Sequence, residues 1–229
     1  MRSGKEALKE ISVTINQECG VSGGRSLHIA GTAGTFSILL GLGKILSGIL
    51  SGSVFACMNG CYTLGMALAR YCALAGLVQK KNKRGSYFYY RLSGIIMVIA
   101  SLLYVVYSLW TIRHPKTMYY GEIIAITIAT ITFTEIGINL HGVLKYRKSN
   151  LPVLHAVKTI NLGTSLISLV LTQAAILAFA DSGNNSFVNG ILGSIMGGAA
   201  ALLGCYLIWR ISSMKIQEKQ STLKEPESL

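Results

Sequence analysis

The chain has 229 residues, of which 51% are hydrophobic and 13% charged, and its mean hydropathy is +0.50. A soluble domain carries about 25% charged residues, so this composition excludes an ordinary soluble globular protein. The apolar content also excludes a disordered chain. The formal net charge of +12 would suit a nucleic-acid partner, but the basic residues stand between long apolar runs, which is typical of membrane proteins. We therefore predict a membrane protein that binds no nucleic acid.

Six apolar runs follow one another in residues 25–212, and each supplies the about 20 residues that cross a bilayer as a helix. The runs cover residues 29–50, 54–78, 92–112, 119–144, 153–179 and 187–211. The predicted fold is an all-α membrane protein with six transmembrane helices. An amphipathic cytoplasmic segment is expected at residues 1–24 and a polar cytoplasmic tail at residues 213–229.

Basic residues collect in alternate connections between the runs. The two most basic connections contain Lys80, Lys81, Lys83 and Arg84, and then Lys145, Arg147 and Lys148. The connection before the last run instead contains Asp181. The positive-inside rule then places both termini in the cytoplasm. The expected location is the cell membrane, in a multi-pass protein with lipids as partners.

Glycines recur at intervals of seven residues in the first and last runs. The two sets are Gly34, Gly41 and Gly48, and Gly190, Gly197 and Gly204. Seven residues is nearly two helical turns, so each set lines one face. Small residues let membrane helices approach closely. The pattern predicts either tight packing within the chain or the seam of a homodimer.

Polar side chains in the fourth run are candidates for function. Glu135 lies near its middle, and Asn139 follows one turn later. An ionisable group at membrane depth is costly and usually functional. The alternative is a protonated, hydrogen-bonded structural carboxyl. No H-E-x-x-H, G-x-S-x-G or phosphate-loop motif is present, so we expect neither an enzyme nor a cofactor.

The connection between the first two runs carries a resemblance to a known family. Lys44 is followed by Gly48-Ile-Leu-Ser-Gly-Ser53, and Tyr87-x-x-Tyr90-Arg91 opens the third run. These segments resemble the cation diffusion facilitator (cation efflux) family, as do Ile138-Asn139 and Thr164-Ser165-Leu166. The resemblance covers about residues 25–212 and implies the six-helix topology of that family.

The resemblance also implies where a divalent ion would bind. In the family, the second and fifth helices each supply a His/Asp-x-x-x-Asp pair, because positions i and i+4 share a face. These pairs fall on Tyr62 and Met66, and on Val157 and Asn161, while an accompanying aspartate falls on Asn59. None of these is a good ligand for such an ion. The family's cytoplasmic metal-binding domain is replaced by a short tail, so we predict a degenerate site that holds no metal.

Two functions follow from this resemblance. The first is a transporter of the cation efflux type with an altered cation substrate. Its candidate path comprises Asn59, Tyr62, Met66, Glu135, Asn139, Val157 and Asn161. The second is a non-transporting structural or regulatory membrane subunit. In either case, the second and fifth helices should pack side by side at the four positions of the lost ligand pairs.

Overall fold

A computed structural model describes most of the apolar part of the chain. The described residues are 34–46, 49–50, 54–78, 83–114, 152–180 and 186–224, with positions 126, 130, 133, 137, 140, 141 and 144. The helices with described bounds are α1 (Gly34–Leu46), α2 (Val54–Val78), α3 (Lys83–Arg113), α4 (Pro152–Ala180) and α5 (Ser186–Lys224). The separate positions between 126 and 144 are also helical, and all seven are exposed. The predicted all-α class is confirmed for these residues.

The prediction of six transmembrane helices in a cation-efflux-like bundle is wrong. Among the described residues, two stretches are long and apolar enough to cross a membrane: Gly85–Arg113 in α3 and Ser186–Gln217 in α5. The described part of α1 is shorter than the about 20 residues of a span. Polar side chains such as Arg70 in α2 and His155 in α4 lower the hydropathy of those helices. The termini, which were expected in the cytoplasm, lie outside the described residues.

The contact between α3 and α5 is the most extensive one among the described helices. It runs antiparallel, with each glycine of the seven-residue set on α5 facing an α3 residue. The facing pairs are Gly190 with Ser108, Gly197 with Val105, and Gly204 with Val98. A Cβ atom at any of these glycines would lie under 3.0 Å from an α3 atom. The spacing on α5 therefore serves close packing within the chain, which is the first of the two interpretations.

The first glycine set packs α1 against α2 in the same way. A Cβ atom on Gly41 would lie 2.8 Å from Leu64, and one on Gly34 would lie 3.2 Å from the ring of Tyr71. Gly48 lies outside the described residues. The helices α2, α3, α4 and α5 together form the buried hydrophobic core. Its fully buried members include Met66, Met97, Tyr104, Ile160, Ile167 and Leu207.

Replacing Gly197 with leucine should destabilise the protein, because the new Cβ would lie 2.8 Å from Val105. Overpacking of this kind costs about 1–3 kcal/mol. Each kcal/mol lowers the Tm of a chain of this length by about 2–4 °C. Thermal unfolding of the purified protein measures the change.

The neighbouring Gly198 provides the matched control, since a Cβ atom there would meet nothing within 4 Å. Gly198→Leu should not lower the free energy of unfolding, since its Cβ meets no neighbour and leucine favours a helix over glycine by about 0.5–1 kcal/mol. Equal losses of Tm in the two variants would contradict the assignment of the Gly197 face to the α3–α5 contact.

Candidate functional site

The predicted ligand positions meet where α2 contacts α4. Tyr62 and Met66 on α2 belong to the same buried cluster as Val157 on α4. Asn161, one turn after Val157, is partly buried. The hydroxyl of Tyr62 donates a hydrogen bond of 3.1 Å to the backbone oxygen of Gly163. The two helices therefore lie side by side, and a buried hydrogen bond joins them.

The same contact is filled by side chains. A Cβ atom on Gly163 would collide with the methyl group of Met97 and lie 3.1 Å from that of Met66. The ring of Tyr62 packs edge-on against Tyr104, with 5.5 Å between the ring centroids. Thioethers and aromatic rings fill the place where α2 and α4 meet, so this contact is closed.

This set of donors does not fit a divalent metal ion. Zinc and similar ions take His, Cys or carboxylate ligands, and a thioether suits only soft ions. Across the described ranges, no three His, Cys, Asp or Glu side chains are grouped so that they could hold a metal. The sequence places none of its nine acidic residues in α1, α2, α3 or α4. An ion at the α2–α4 contact would find no negative charge on these helices.

A second group of polar side chains lies between α1 and α2. The ammonium group of Lys44 donates a hydrogen bond of 2.8 Å to Asn59 Oδ1 and a longer one of 3.5 Å to Thr63 Oγ1. Asn59 and Thr63 are buried and one helical turn apart. The Thr63 hydroxyl in turn donates to the backbone oxygen of Asn59 at 2.8 Å. The Asn59 amide oxygen and the Thr63 hydroxyl thus both accept hydrogen bonds from the Lys44 ammonium group.

A further polar contact follows about two turns along the same helix pair. The guanidinium group of Arg70 donates a 3.1 Å hydrogen bond to the hydroxyl of Ser37, and Arg70 is buried. Ser37 precedes Lys44 by seven residues, and Thr63 precedes Arg70 by seven, so each helix presents both groups on one face. Seven residues rise about 10 Å along a helix. We call Ser37, Lys44, Asn59, Thr63 and Arg70 the polar seam.

Close backbone approach brings the polar seam together. A Cβ atom on Gly60 would lie 2.8 Å from the backbone oxygen of Gly41 and 2.6 Å from Ile45. Larger side chains here would push α1 away and lengthen the Lys44–Asn59 hydrogen bond. The two charged side chains of the polar seam are both cationic, whereas the cation efflux family uses carboxylates.

Sequence reasoning identified Asn59 only through the family resemblance and missed its pairing with Lys44. The signal was a lysine inside an apolar run, because such a charge needs a polar partner. The two remaining predicted site residues, Glu135 and Asn139, lie outside the described residues. The structure brings Tyr62, Met66 and Val157 together, whereas Asn59 accepts a hydrogen bond from Lys44 on α1.

The chain matches no protein-family model and no curated protein. The resemblance to the cation efflux family consequently depends on the quoted sequence segments alone.

Replacing Tyr62 with phenylalanine should lower stability, because it removes the hydrogen bond to Gly163. The loss of one buried hydrogen bond costs about 1 kcal/mol. The expected decrease in Tm is about 2–4 °C. Tyr206→Phe is the control, since Tyr206 is 44% exposed. A Tm for Tyr62→Phe equal to that of the control would show that the α2–α4 hydrogen bond contributes nothing.

We also expect no tight zinc site at Tyr62, Met66, Val157 and Asn161, because none of these side chains is an imidazole, thiolate or carboxylate donor. Isothermal titration calorimetry with Zn²⁺ tests this expectation. A binding event of about micromolar affinity or better that persists after replacement of all four His residues would contradict it.

Proposed function

We propose that the chain is a multi-pass membrane protein of the transporter type, a divergent relative of the cation efflux family with an altered substrate. The observation that carries the proposal is the polar seam, which holds two cationic side chains between helices whose outer faces are apolar. Ionisable groups at membrane depth are costly and usually mark a pathway for a solute or ion.

The distribution of side chains on α3 supports a membrane location. Its inward face carries small hydroxyl residues beside core residues such as Met97 and Tyr104: Ser86, Ser93, Ser101, Ser108 and Thr111 are buried. Its outward face contains large apolar residues: Ile99, Leu102, Leu103, Val106 and Leu109 are all at least half exposed. In water such an exposed apolar face is unfavourable, because burial of apolar area is the main driving force for folding. A hydrocarbon solvent removes that force and permits polar interiors.

The ends of α3 support the same location. The rings of Phe88 and Tyr89 pack together near one end, and those of Trp110 and His114 stack 4.8 Å apart near the other. About 20 residues separate the two groups, which corresponds to about 30 Å of helix. This length equals the thickness of the hydrocarbon core, and aromatic side chains favour its two boundaries.

The charges of α3 and α5 support an orientation. Because these helices are antiparallel, the beginning of α3 and the later part of α5 lie at the same end. Lys83 and Arg84 belong to the first, and Arg210 and Lys215 to the second. By the positive-inside rule, this end belongs on the cytoplasmic side.

The polar seam supplies the chemistry of the proposed transport. Its donors and acceptors surround a partly buried lysine, and its described charges are positive. Such a lining does not stabilise a bare divalent cation, in agreement with the loss of ligands at the α2–α4 contact. A solute that uses this seam must accept hydrogen bonds from Lys44 and Arg70 or exchange with their present partners.

The closed α2–α4 contact favours a second candidate function. Met66, Met97 and Val157 are all 0–1% exposed, so this contact offers no path for a solute in the present conformation. A membrane subunit that has kept its packing and lost its transport would have such a core. Flux measurement separates the two functions.

The experiment uses the full chain reconstituted in liposomes, with a panel of monovalent cations, divalent cations and small anions. Under the transport proposal, the wild type carries at least one of them. Lys44→Met should reduce that flux by about tenfold or more, since a charge-assisted hydrogen bond is worth about 1.5–3 kcal/mol and tenfold is about 1.4 kcal/mol. Lys215→Met is the control, because Lys215 is exposed.

Folding is checked in each preparation by thermal unfolding. Flux that depends on Lys44 but not on Lys215 supports transport. A folded wild type that carries none of the panel would contradict transport and favour the subunit function.

A further inference from the structure

A cavity of about 240 Å³ lies between α2 and α3. It adjoins the closed α2–α4 contact at Tyr62, and no residue of the polar seam lines it. Met58, Cys61 and Gly65 line it from α2, and Ile96, Ala100 and Tyr104 line it from α3. The surface of the cavity is almost entirely apolar. Water needs two to four polar partners, so this lining does not suit ordered water.

Small residues create the cavity. A Cβ atom on Gly65 would lie 3.2 Å from the Cβ atom of Ala100, so the two helices approach closely at this point with no long side chain between them. The rings of Tyr62 and Tyr104 form the inner wall. Because the Tyr62 hydroxyl donates to Gly163 on α4, its polar end is engaged away from the cavity.

The mouth of the cavity opens on the outward face of α3. Ile99 and Leu103, which line it, are 53% and 59% exposed, and Cys61 on α2 is exposed as well. They continue the apolar face of α3 that includes Leu102 and Val106. Under the proposed membrane location, this face is in contact with lipid hydrocarbon. The cavity is thus an inward extension of the lipid-facing surface.

The size of the cavity restricts its occupant. An apolar cavity of about 150 Å³ accommodates benzene, so this larger one accepts a longer piece of hydrocarbon. A helix is about 10 Å across with its side chains and cannot enter it. A lipid headgroup would find almost no polar surface on the lining to replace its water shell. A single acyl chain satisfies both the volume and the polarity.

We propose that the α2–α3 cavity binds one acyl chain of a membrane lipid, which enters from the bilayer between Ile99, Leu103 and Cys61. The inference rests on the membrane location in the proposed function, but not on transport. The bound chain contacts the rings of Tyr62 and Tyr104. It therefore also adjoins the hydrogen bond that joins α2 to α4.

Photo-crosslinking tests the site with the full chain in phosphatidylcholine vesicles. A small fraction of the phosphatidylcholine carries a diazirine in the middle of one acyl chain, and adducts are mapped by mass spectrometry after digestion. We expect adducts at Met58, Cys61 and Gly65 above those at the exposed residues Ile195 and Leu202 of α5. The α5 face serves as the reference for simple contact with the bilayer.

Cavity-filling variants provide the decisive comparison. Ala100→Phe places a ring in the cavity, and Ala100→Leu fills it partly in case the larger residue prevents folding. Either should reduce the α2 adducts several-fold and leave those of α5 unchanged. Gly198→Phe is the matched control, because Gly198 is on α5 and a Cβ atom there meets nothing within 4 Å.

Three results would overturn the proposal. If α2 and α5 are labelled equally, and neither Ala100 variant changes the labelling, lipid covers the surface without entering the cavity. Cross-linking of Cys61 between two copies, with loss of the lipid adducts, means that a second copy of the chain covers the mouth. Absence of adducts on both helices means that the membrane location itself is wrong, which distinguishes that failure from the failure of the cavity site alone.

Discussion

Close backbone approach at glycines is the constraint on which the rest of the structure depends. Under the proposed membrane location, helices gain nothing from hiding apolar side chains from one another, so contact depends on packing and on hydrogen bonds between helices. Gly41 and Gly60 bring α1 and α2 together, and Gly197 and Gly204 do the same for α5 and α3. The first approach is what sets the Lys44 ammonium 2.8 Å from Asn59. The polar seam is thus a consequence of small residues nearby.

The α2–α4 contact shows how a helix pair can close when it lacks metal ligands. Two helices that share a divalent ion need acidic or imidazole side chains, and those groups leave polar volume around the ion. Here Met66 and Val157 fill that volume, and Tyr62 joins the helices through Gly163. Methionine is suited to this task because its flexible thioether adapts to irregular space. The contact therefore consists of packed side chains, whereas a metal site would need charge.

The sequence predicted the elements better than their environment. The second apolar run and α2 have the same bounds, Val54–Val78, because a long apolar run leaves little choice of structure. By contrast, α3 begins at Lys83 rather than at residue 92, since a helix continues through polar residues that a hydropathy scan excludes. In the same way, α5 continues to Lys224, beyond the predicted boundary at residue 212.

The candidate site was predictable in part for related reasons. Helical spacing placed Tyr62 and Met66 on one face, and the family resemblance selected the partner face on α4. Neither identifies the Lys44–Asn59 hydrogen bond, because it joins residues on separate helices and depends on how closely those helices approach. Of the six predicted spans, two are long and apolar enough among the described residues, and buried polar members such as Arg70 lower the hydropathy of α2. The roles of Glu135 and Asn139 stay predictions.

The faces of α2 explain why its side chains have such different surroundings. At about 100° per residue, Asn59, Thr63 and Arg70 share one side, Tyr62 lies on the side next to it, and Met66 lies at the border between the two. Met58, Cys61 and Gly65 form a third, which borders the cavity. Hydrogen bonds hold the first side to α1 and the second to α4. Rotating α2 by a single residue position would break both sets at once, so together they fix which of its faces borders the cavity.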